Sequence, residues 1–269
     1  MLEIRKKLRK VVAIAICLAG SATMFAQETG VVINGVTWAT RNVGAPKTFV
    51  TNPEDAGMFY QWNGKIGWTS AGLPSDGTST WNSAWNGNGA TTWEAANDPC
   101  PPNWRVPTAD EIDKLLAADK VSNKWITVNN ITGMRSTDNA TGASLFLPAA
   151  GERYNNGTLF GAGANGDYWS STQSESSSDR AYELYFACHY ISGVWIVFTG
   201  RSDLDGRSYG KTVRCVVCNQ VGIDEVSPDT ENAIVTGYFD ILGRKLTEEP
   251  TKGIYIIQFD NGKTKKMMK

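Results

Sequence analysis

The chain has 269 residues, 26 basic and 27 acidic side chains, 41% hydrophobic residues and ten tryptophans. A net charge of −1 without a long basic block argues against nucleic acid as a partner. The length suffices for one good core and a small appendage.

Residues 1–26 read as an export signal. Arg5, Lys6, Lys7, Arg9 and Lys10 form a basic start, and Val11 to Gly20 is an apolar run too short to span a bilayer. Cys17 follows Ile16, where a lipoprotein signal wants a small residue, so no lipid anchor is expected. Removing the signal's five basic and one acidic residues leaves 21 basic against 26 acidic, a net charge of −5. No later segment is apolar enough to cross a membrane. The expected location is therefore outside the cell or on its surface, reached through the periplasm.

Residues 28–218 form the main zone, rich in Trp, Gly, Asn and Ser with short apolar bursts, the texture of short strands joined by long loops. Asn52 with Pro53 predicts a short helix start. Gly67 to Gly89 interleaves Trp68, Trp81 and Trp85 with polar residues, which suits either core packing or a binding surface. Thr108 and Glu111 form the box T-x-x-E, and Ile112, Leu115 and Leu116 follow at helical spacing, which predicts a helix. Pro107 holds the entering chain extended. Gly161 to Gly166, GAGANG, matches G-x-G-x-x-G, but no helix follows it convincingly, so it reads as a loop rather than a dinucleotide site.

Ala181 to Tyr190 and Val194 to Gly200 predict a hairpin turning at Ser192-Gly193. Leu184, Phe186 and Cys188 should share one face and Tyr185, Ala187 and His189 the other. Both faces are fairly apolar, so the hairpin is expected to be covered on both sides. Residues 219–231 are polar, carry a proline and read as a linker. Residues 232–269 offer three strand-like runs, AIVTGYFDI, RKLT and GIYIIQF, and a turn at Asp260-Asn261-Gly262.

Little of the chemistry tested survives. His189 is the one histidine, with no G-x-S-x-G elbow beside it, so neither a His-rich metal site nor a serine triad is read. Cys215 and Cys218 form a C-x-x-C inside KTVRCVVC, a strand-like run, whereas redox chemistry needs a helix N-terminus to lower the thiol pKa. Asp203-Leu204-Asp205-Gly206 is oxygen-rich, yet the twelve-residue calcium loop with its terminal glutamate is missing. No cofactor is read, and calcium stays an open alternative. Four cysteines remain after the signal, and they allow three disulfide connectivities.

Seven blocks then occur in order: INGVTWATRNVG, DAGMFYQW, CPPNWRVPTADEIDKL, LFLPAAGERYNNG, DYWSST, AYELYF and KTVRCV. On these the main zone resembles the Fibrobacter succinogenes major paralogous domain, found on exported proteins of Bacteroidetes and Fibrobacteres. That domain is similar in turn to the C-type-lectin-like fold of the formylglycine-generating enzyme group. The resemblance implies an α+β architecture of small antiparallel sheets, one or two helices and long loops. It implies a disulfide between Cys100 and Cys215, with Trp104 plugging the core, and by a weaker argument one between Cys188 and Cys218. The oxidase activity of the group does not carry over, because its close cysteine pair has no counterpart at the required spacing. GYFDILGRKLTEEPTKGIYIIQFDNGKTKKMMK resembles a sorting tail read by the type IX secretion machinery, which makes 232–269 a small C-terminal β domain.

The expected function is ligand binding by an adhesin-like surface protein, the partner being an extracellular glycan or a surface protein. Alternatives are a secreted enzyme with a site on the same face, or a structural surface component. Loops 170–180 and 199–210 flank the hairpin, and the expected binding face is Arg180, Tyr190, Trp195, Arg201, Asp203, Arg207 and Tyr209. Mixed Tyr, Trp, Arg and Asp on loops held by a stiff scaffold is the chemistry of recognition.

Overall fold

The computed structural model describes residues 28–191, 194–202, 205–218, 234–240, 243–251, 254–260 and 264–268. Strand accounts for 43% and helix for 5%, so the architecture is α+β with the sheets dominant. The sheets are small and their named pairings are all antiparallel, as the short apolar bursts predict.

One sheet runs β1 (Val31–Ile33), β2 (Val36–Trp38), β15 (Val216–Val217), β5 (Trp104–Arg105), so both ends of the main zone lie in the same sheet. A second runs β10 (Leu159–Phe160), β9 (Glu152–Arg153), β14 (Gly210–Lys211), β3 (Phe59–Gln61), β4 (Gly67–Trp68). A third pairs β11 (Asn165–Gln173), β12 (Ala181–Ile191) and β13 (Val194–Ser202). A fourth is β6 (Val121–Val128), β7 (Ile131–Asp138) and β8 (Ser144–Pro148). The last is built from the C-terminal segment: β17 (Lys245–Leu246), β16 (Val235–Asp240), β18 (Ile254–Phe259) and β19 (Thr264–Met268). Its buried residues include Tyr255 and Ile257, and β19 adds a strand from the lysine-rich terminus to the three runs expected. The linker 219–231 lies outside the described residues.

The α-helix α1 (Ala109–Leu116) forms where the capping box predicts it. The Glu111 amide donates to Thr108 Oγ1 at 3.3 Å, and Glu111 Oε2 accepts from the Thr108 amide at 2.8 Å, satisfying two donors no helix turn can reach. Ile112 and Leu115 are buried against Trp38, Tyr168 and Phe186 in one core cluster. A second cluster gathers Tyr60, Trp62, Trp93, Trp169 and Val213 around Cys100 and Cys215. The indoles of Trp62 and Trp169 donate to Ser170 O and Tyr60 O, both at 2.8 Å, so each ring is buried with its polar atom satisfied.

Several expectations change. Asn52 with Pro53 starts a turn instead of a helix, because the Asp55 carboxylate accepts from the Asn52 amide at 2.9 Å and closes the chain on itself. Trp104 is only half-buried, edge-on to Phe49 at 5.6 Å; Trp38, Trp62 and Trp169 fill the core instead. Leu184, Phe186 and Cys188 share a buried face and Ala187 is buried opposite, but Ile196, Val197 and Phe198 are 38–44% exposed. The reason is position: within its sheet β13 pairs with β12 alone.

Cys100 and Cys215 form a disulfide with Cα atoms 6.1 Å apart, and it closes a separation of 115 residues. Cys188 and Cys218 are free thiols, which corrects the weaker pairing: Cys188 lies inside β12, whereas Cys218 follows β15 in a different sheet. Replacing Cys100 and Cys215 together by alanine should lower the unfolding free energy by about 2–5 kcal/mol in a denaturant titration. A loss below about 1 kcal/mol would mean that the sheets hold without the link.

Candidate functional site

The chain between β3 and β4 and the long loop that follows it enclose a groove of about 330 Å³. Its lining is mostly neutral and polar: the amides of Gln61, Asn63, Asn82, Asn88 and Asn97, and the hydroxyls of Ser79 and Thr80. Trp68 and Trp85 supply aromatic surface, and Lys65 is the single charged residue of the lining. An amide both donates and accepts, which matches a ligand dense in hydroxyls, and an indole face offers a flat apolar plate.

This groove is built from turn chemistry. Asn63 has a positive φ of 58°, a conformation that asparagine tolerates, and it is completely buried. Its Oδ1 accepts from the Glu94 amide at 2.8 Å and its Nδ2 donates to Gly87 O at 3.0 Å, tying the loop's far end to its start. Gly87, at φ 74°, lies so near Trp62 that an added Cβ would come within 2.9 Å of the ring. Trp85 Nε1 donates to Trp62 O at 2.7 Å, and Gln61 Nε2 donates to Asn82 O at 2.7 Å and Ser208 O at 2.8 Å. Trp81 stands behind the groove, edge-on to Trp68 at 5.3 Å, with its indole donating to Asn155 O at 2.7 Å.

Arg207, expected on the binding face, is 1% exposed. Its guanidinium lies 4.1 Å from the Trp62 ring centre and donates to Asn86 O at 3.2 Å, Ala90 O at 2.7 Å and Arg180 O at 3.2 Å. Arg207 therefore positions the 86–90 segment of the groove and presents no charge to solvent. The cation–π contact and the carbonyl acceptors make its burial tolerable.

The other expected residues do not converge. Arg201 pairs with Asp113 of α1 at 3.0 Å and lies 4.5 Å over Tyr182. Arg180 is half-buried at a bridge to Gly206, and Tyr209 is half-buried, edge-on to Tyr154 at 5.8 Å. Tyr190 and Trp195 are cross-strand partners near the hairpin tip. Trp195 and Arg201 are six positions apart along β13, a span of about 20 Å at the usual rise per residue. Asp203 lies outside the described residues. The six described residues are thus divided between a hairpin tip, the helix side and the groove's supporting wall.

A second constellation lies between sheets. Lys211 of β14 is fully buried, with Nζ 2.5 Å from Glu183 of β12, 2.6 Å from Glu152 of β9, 2.7 Å from Asp205 and 3.9 Å from Asp167 of β11. The Trp169 and Tyr209 rings lie 5.1 and 5.7 Å from the same nitrogen. Burial pushes Glu183 up to about 8, Glu152 up to about 7 and Asp167 up to about 6; Lys211 opposes the rise, and neighbouring carboxylates add to it. Burial alone would lower Lys211, but the four carboxylates outweigh it and hold the ammonium well above its ordinary value. Among the described residues no group of His, Cys, Asp or Glu is arranged to hold a metal, and the Asp205 carboxylate of the calcium alternative hydrogen-bonds Lys211.

Known proteins add nothing further. The chain matches no family model, no curated protein and no solved structure.

The sequence marks the stretch 67–89, which supplies Trp68, Ser79, Thr80, Asn82, Trp85 and Asn88 of the groove, as either core packing or a binding surface, whereas the second constellation is not read from it. The signal for the second was present: Glu183 in AYELYF and Lys211 in YGKTV are single charges within apolar or small-residue runs, and Glu152 in AAGERY has only Arg153 beside it. A charge at such a position is buried with a partner or not buried at all.

These pKa values set the sign of the pH dependence. Glu183, Glu152 and Asp167 bind protons in the folded chain at pH values where the unfolded chain has released them. Their contribution is therefore complete below the ordinary carboxylate range and is lost as pH rises through about 6 to 8. Glu28 and Glu111 act oppositely and below that window, because Arg41 and Arg105 draw them down despite burial. Melting temperature should fall between pH 5 and pH 8, and Lys211→Met should cost about 3–5 kcal/mol at pH 8 and less at pH 5. Stability that rises over this interval would refute the assignment.

Proposed function

We propose that this chain is an exported, surface-displayed binding protein on a lectin-like scaffold, and that the groove at Asn63, Trp68 and Trp85 takes an uncharged glycan. The observation that carries the reading is the accessible part of the lining: the amides of Asn82, Asn88 and Asn97, the hydroxyls of Ser79 and Thr80 and the half-buried Trp85 ring, with a single lysine, above a floor of buried Gln61, Asn63 and Trp68. Such a lining offers paired donors and acceptors to hydroxyls and flat surfaces to the C–H faces of sugar rings. A sialylated or uronic ligand would want more cationic groups than Lys65 alone.

Catalysis is the weaker reading for a geometric reason. The acids with strongly raised pKa values are Glu152, Asp167 and Glu183, and their side chains are only 2–9% exposed. A substrate cannot reach carboxyls sealed between sheets, whereas the groove is open and its one charge is an exposed lysine.

The family resemblance supports the scaffold half of the proposal. INGVTWATRNVG runs from the end of β1 through β2, CPPNWRVPTADEIDKL holds β5 and most of α1, and KTVRCV joins β14 to β15. The cysteines that the resemblance pairs are bonded. In this reading residues 219–231 link the binding domain to 232–269, the tail that directs the chain through the type IX machinery.

A neutral-glycan array probed with the purified protein tests the ligand. Trp85→Ala should weaken the best glycan by about 2 kcal/mol, roughly thirtyfold, and Asn88→Gly by about 1 kcal/mol. Asn88 has φ 55°, so glycine suits its backbone and leaves the fold intact. Unchanged binding in both variants would move the site elsewhere. Trp195→Ala, at the hairpin tip, should leave glycan affinity unchanged.

Deleting residues 232–269 should leave the remaining chain folded by circular dichroism yet absent from the cell surface in a protease-shaving assay. Display of the truncated chain would remove the sorting role of the tail.

A further inference from the structure

The buried cluster contains an amine, carboxyls and no access for a substrate, so any reaction it undergoes is with itself. Of the three carboxylates in contact with Lys211 Nζ, Glu152 and Asp205 receive hydrogen bonds from it, at 2.6 and 2.7 Å. Glu183 differs. Its Oε2 lies 2.5 Å from Nζ but accepts no hydrogen bond, so the nitrogen touches this carboxyl outside the directions in which a hydrogen bond would hold it. Asp167 Oδ2 is also without a partner, although Asp167 is 1% exposed.

We propose that Lys211 and Glu183 condense to an intramolecular amide, a covalent strut between β14 and β12. One proton of the Lys211 ammonium passes to the hydrogen-bonded carboxylate of Glu152 or Asp205. The freed Nζ lone pair attacks Cδ of the protonated Glu183 carboxyl, the Nζ–Cδ bond forms and the Cδ–OH bond breaks. The hydroxyl leaves as water with one of the two protons still on nitrogen. Nothing is oxidised or reduced, no co-reactant is needed and the net charge of the cluster is unchanged. The unpartnered Asp167 carboxyl is placed to hold a proton while the hydroxyl departs.

Two physical effects favour the amide here. Holding amine and carboxyl in contact is worth an effective concentration of about 10⁵–10⁸ M in well-oriented intramolecular reactions. Condensation also removes a buried ammonium, whose desolvation costs several kcal/mol even when paired. Asp205, at 27% side-chain exposure, is the most solvated carboxyl of the four. Trp169 and Tyr209 flank the nitrogen and keep bulk water from reversing the step.

Trypsin separates the four candidate acceptors. Glu152 falls in the peptide 136–153, Asp167 in 154–180, Glu183 in 181–201 and Asp205 in 202–207. An amide at Lys211 blocks cleavage there and leaves 208–214 intact. The purified full chain, reduced, alkylated and digested, should give 181–201 joined to 208–214 at a mass one water below their sum. Lys211→Arg should abolish the joined species while keeping a buried cation. Glu183→Gln should give the same product by loss of ammonia. Recovery of 208–211 and 181–201 as free peptides from the wild-type chain would overturn the proposal, and joining of 208–214 to any other acceptor peptide would overturn Glu183 as the partner. In the linked chain the titration of Glu183 disappears, and the fall in stability with rising pH then rests on Glu152 and Asp167.

Discussion

Placing one lysine among four carboxylates in the interior is the constraint on which the main zone turns. Lys211 belongs to the second sheet, as does Glu152, whereas Asp167 and Glu183 belong to the third. The cluster therefore forces two sheets to face each other at one spacing and in one register. A slip of one residue in β12 would point Glu183 out of the cluster and leave a buried ammonium short of a partner. Apolar packing alone does not discriminate so sharply between registers. Buried ion pairs add little net stability, but the penalty for breaking one is large, and that asymmetry specifies the arrangement.

The groove depends on the same strands. β14 pairs with β3 at Gly210↔Gln61 and Lys211↔Tyr60, so the strand that carries the lysine also aligns Gln61 and Trp62 at the groove wall. Arg207, four residues earlier, fastens the 86–90 segment through Asn86 O and Ala90 O and stacks on Trp62. Long loops of this kind lack a ladder of backbone hydrogen bonds, so side-chain amides supply the missing partners. Asn63 is the clearest case, with both ends of its amide used within the loop. Charge is thus concentrated in the interior, where it specifies packing, while the groove lining carries Lys65 alone.

Short-range features were legible in the chain itself. Thr108, Glu111 and the spacing of Ile112 and Leu115 determine α1, because capping and helical periodicity are settled within one turn or two. The hairpin of β12 and β13 follows from two β-rich runs flanking a two-residue turn, and Ile191 pairs with Val194 across residues 192–193. The disulfide partner of Cys100 came from resemblance, since spacing alone leaves three pairings. The expected binding face meets the same boundary, because its residues are near one another in the chain and not in one place in the fold. Arg201, Arg207 and Trp195 are close in the sequence, yet one faces α1, one is buried under the groove and one sits near a hairpin tip.

The sequence by itself determined the strand-rich texture, the helix α1 and the isolated charges set among apolar or small residues. Each of these depends on neighbours within a few positions, where propensity, periodicity and capping act. Only the tertiary structure decided that Glu152, Asp167, Glu183 and Asp205 meet at Lys211, and that Asn63, Trp85 and Asn97 line one groove. Glu152 and Lys211 are 59 positions apart and their contact rests on β9 pairing with β14, a choice among many sheet orders that local patterns do not distinguish. What decides it is closure of the whole chain: the Lys211 ammonium, the indoles of Trp62 and Trp169 and the Asn63 amide meet their partners only in this arrangement of sheets.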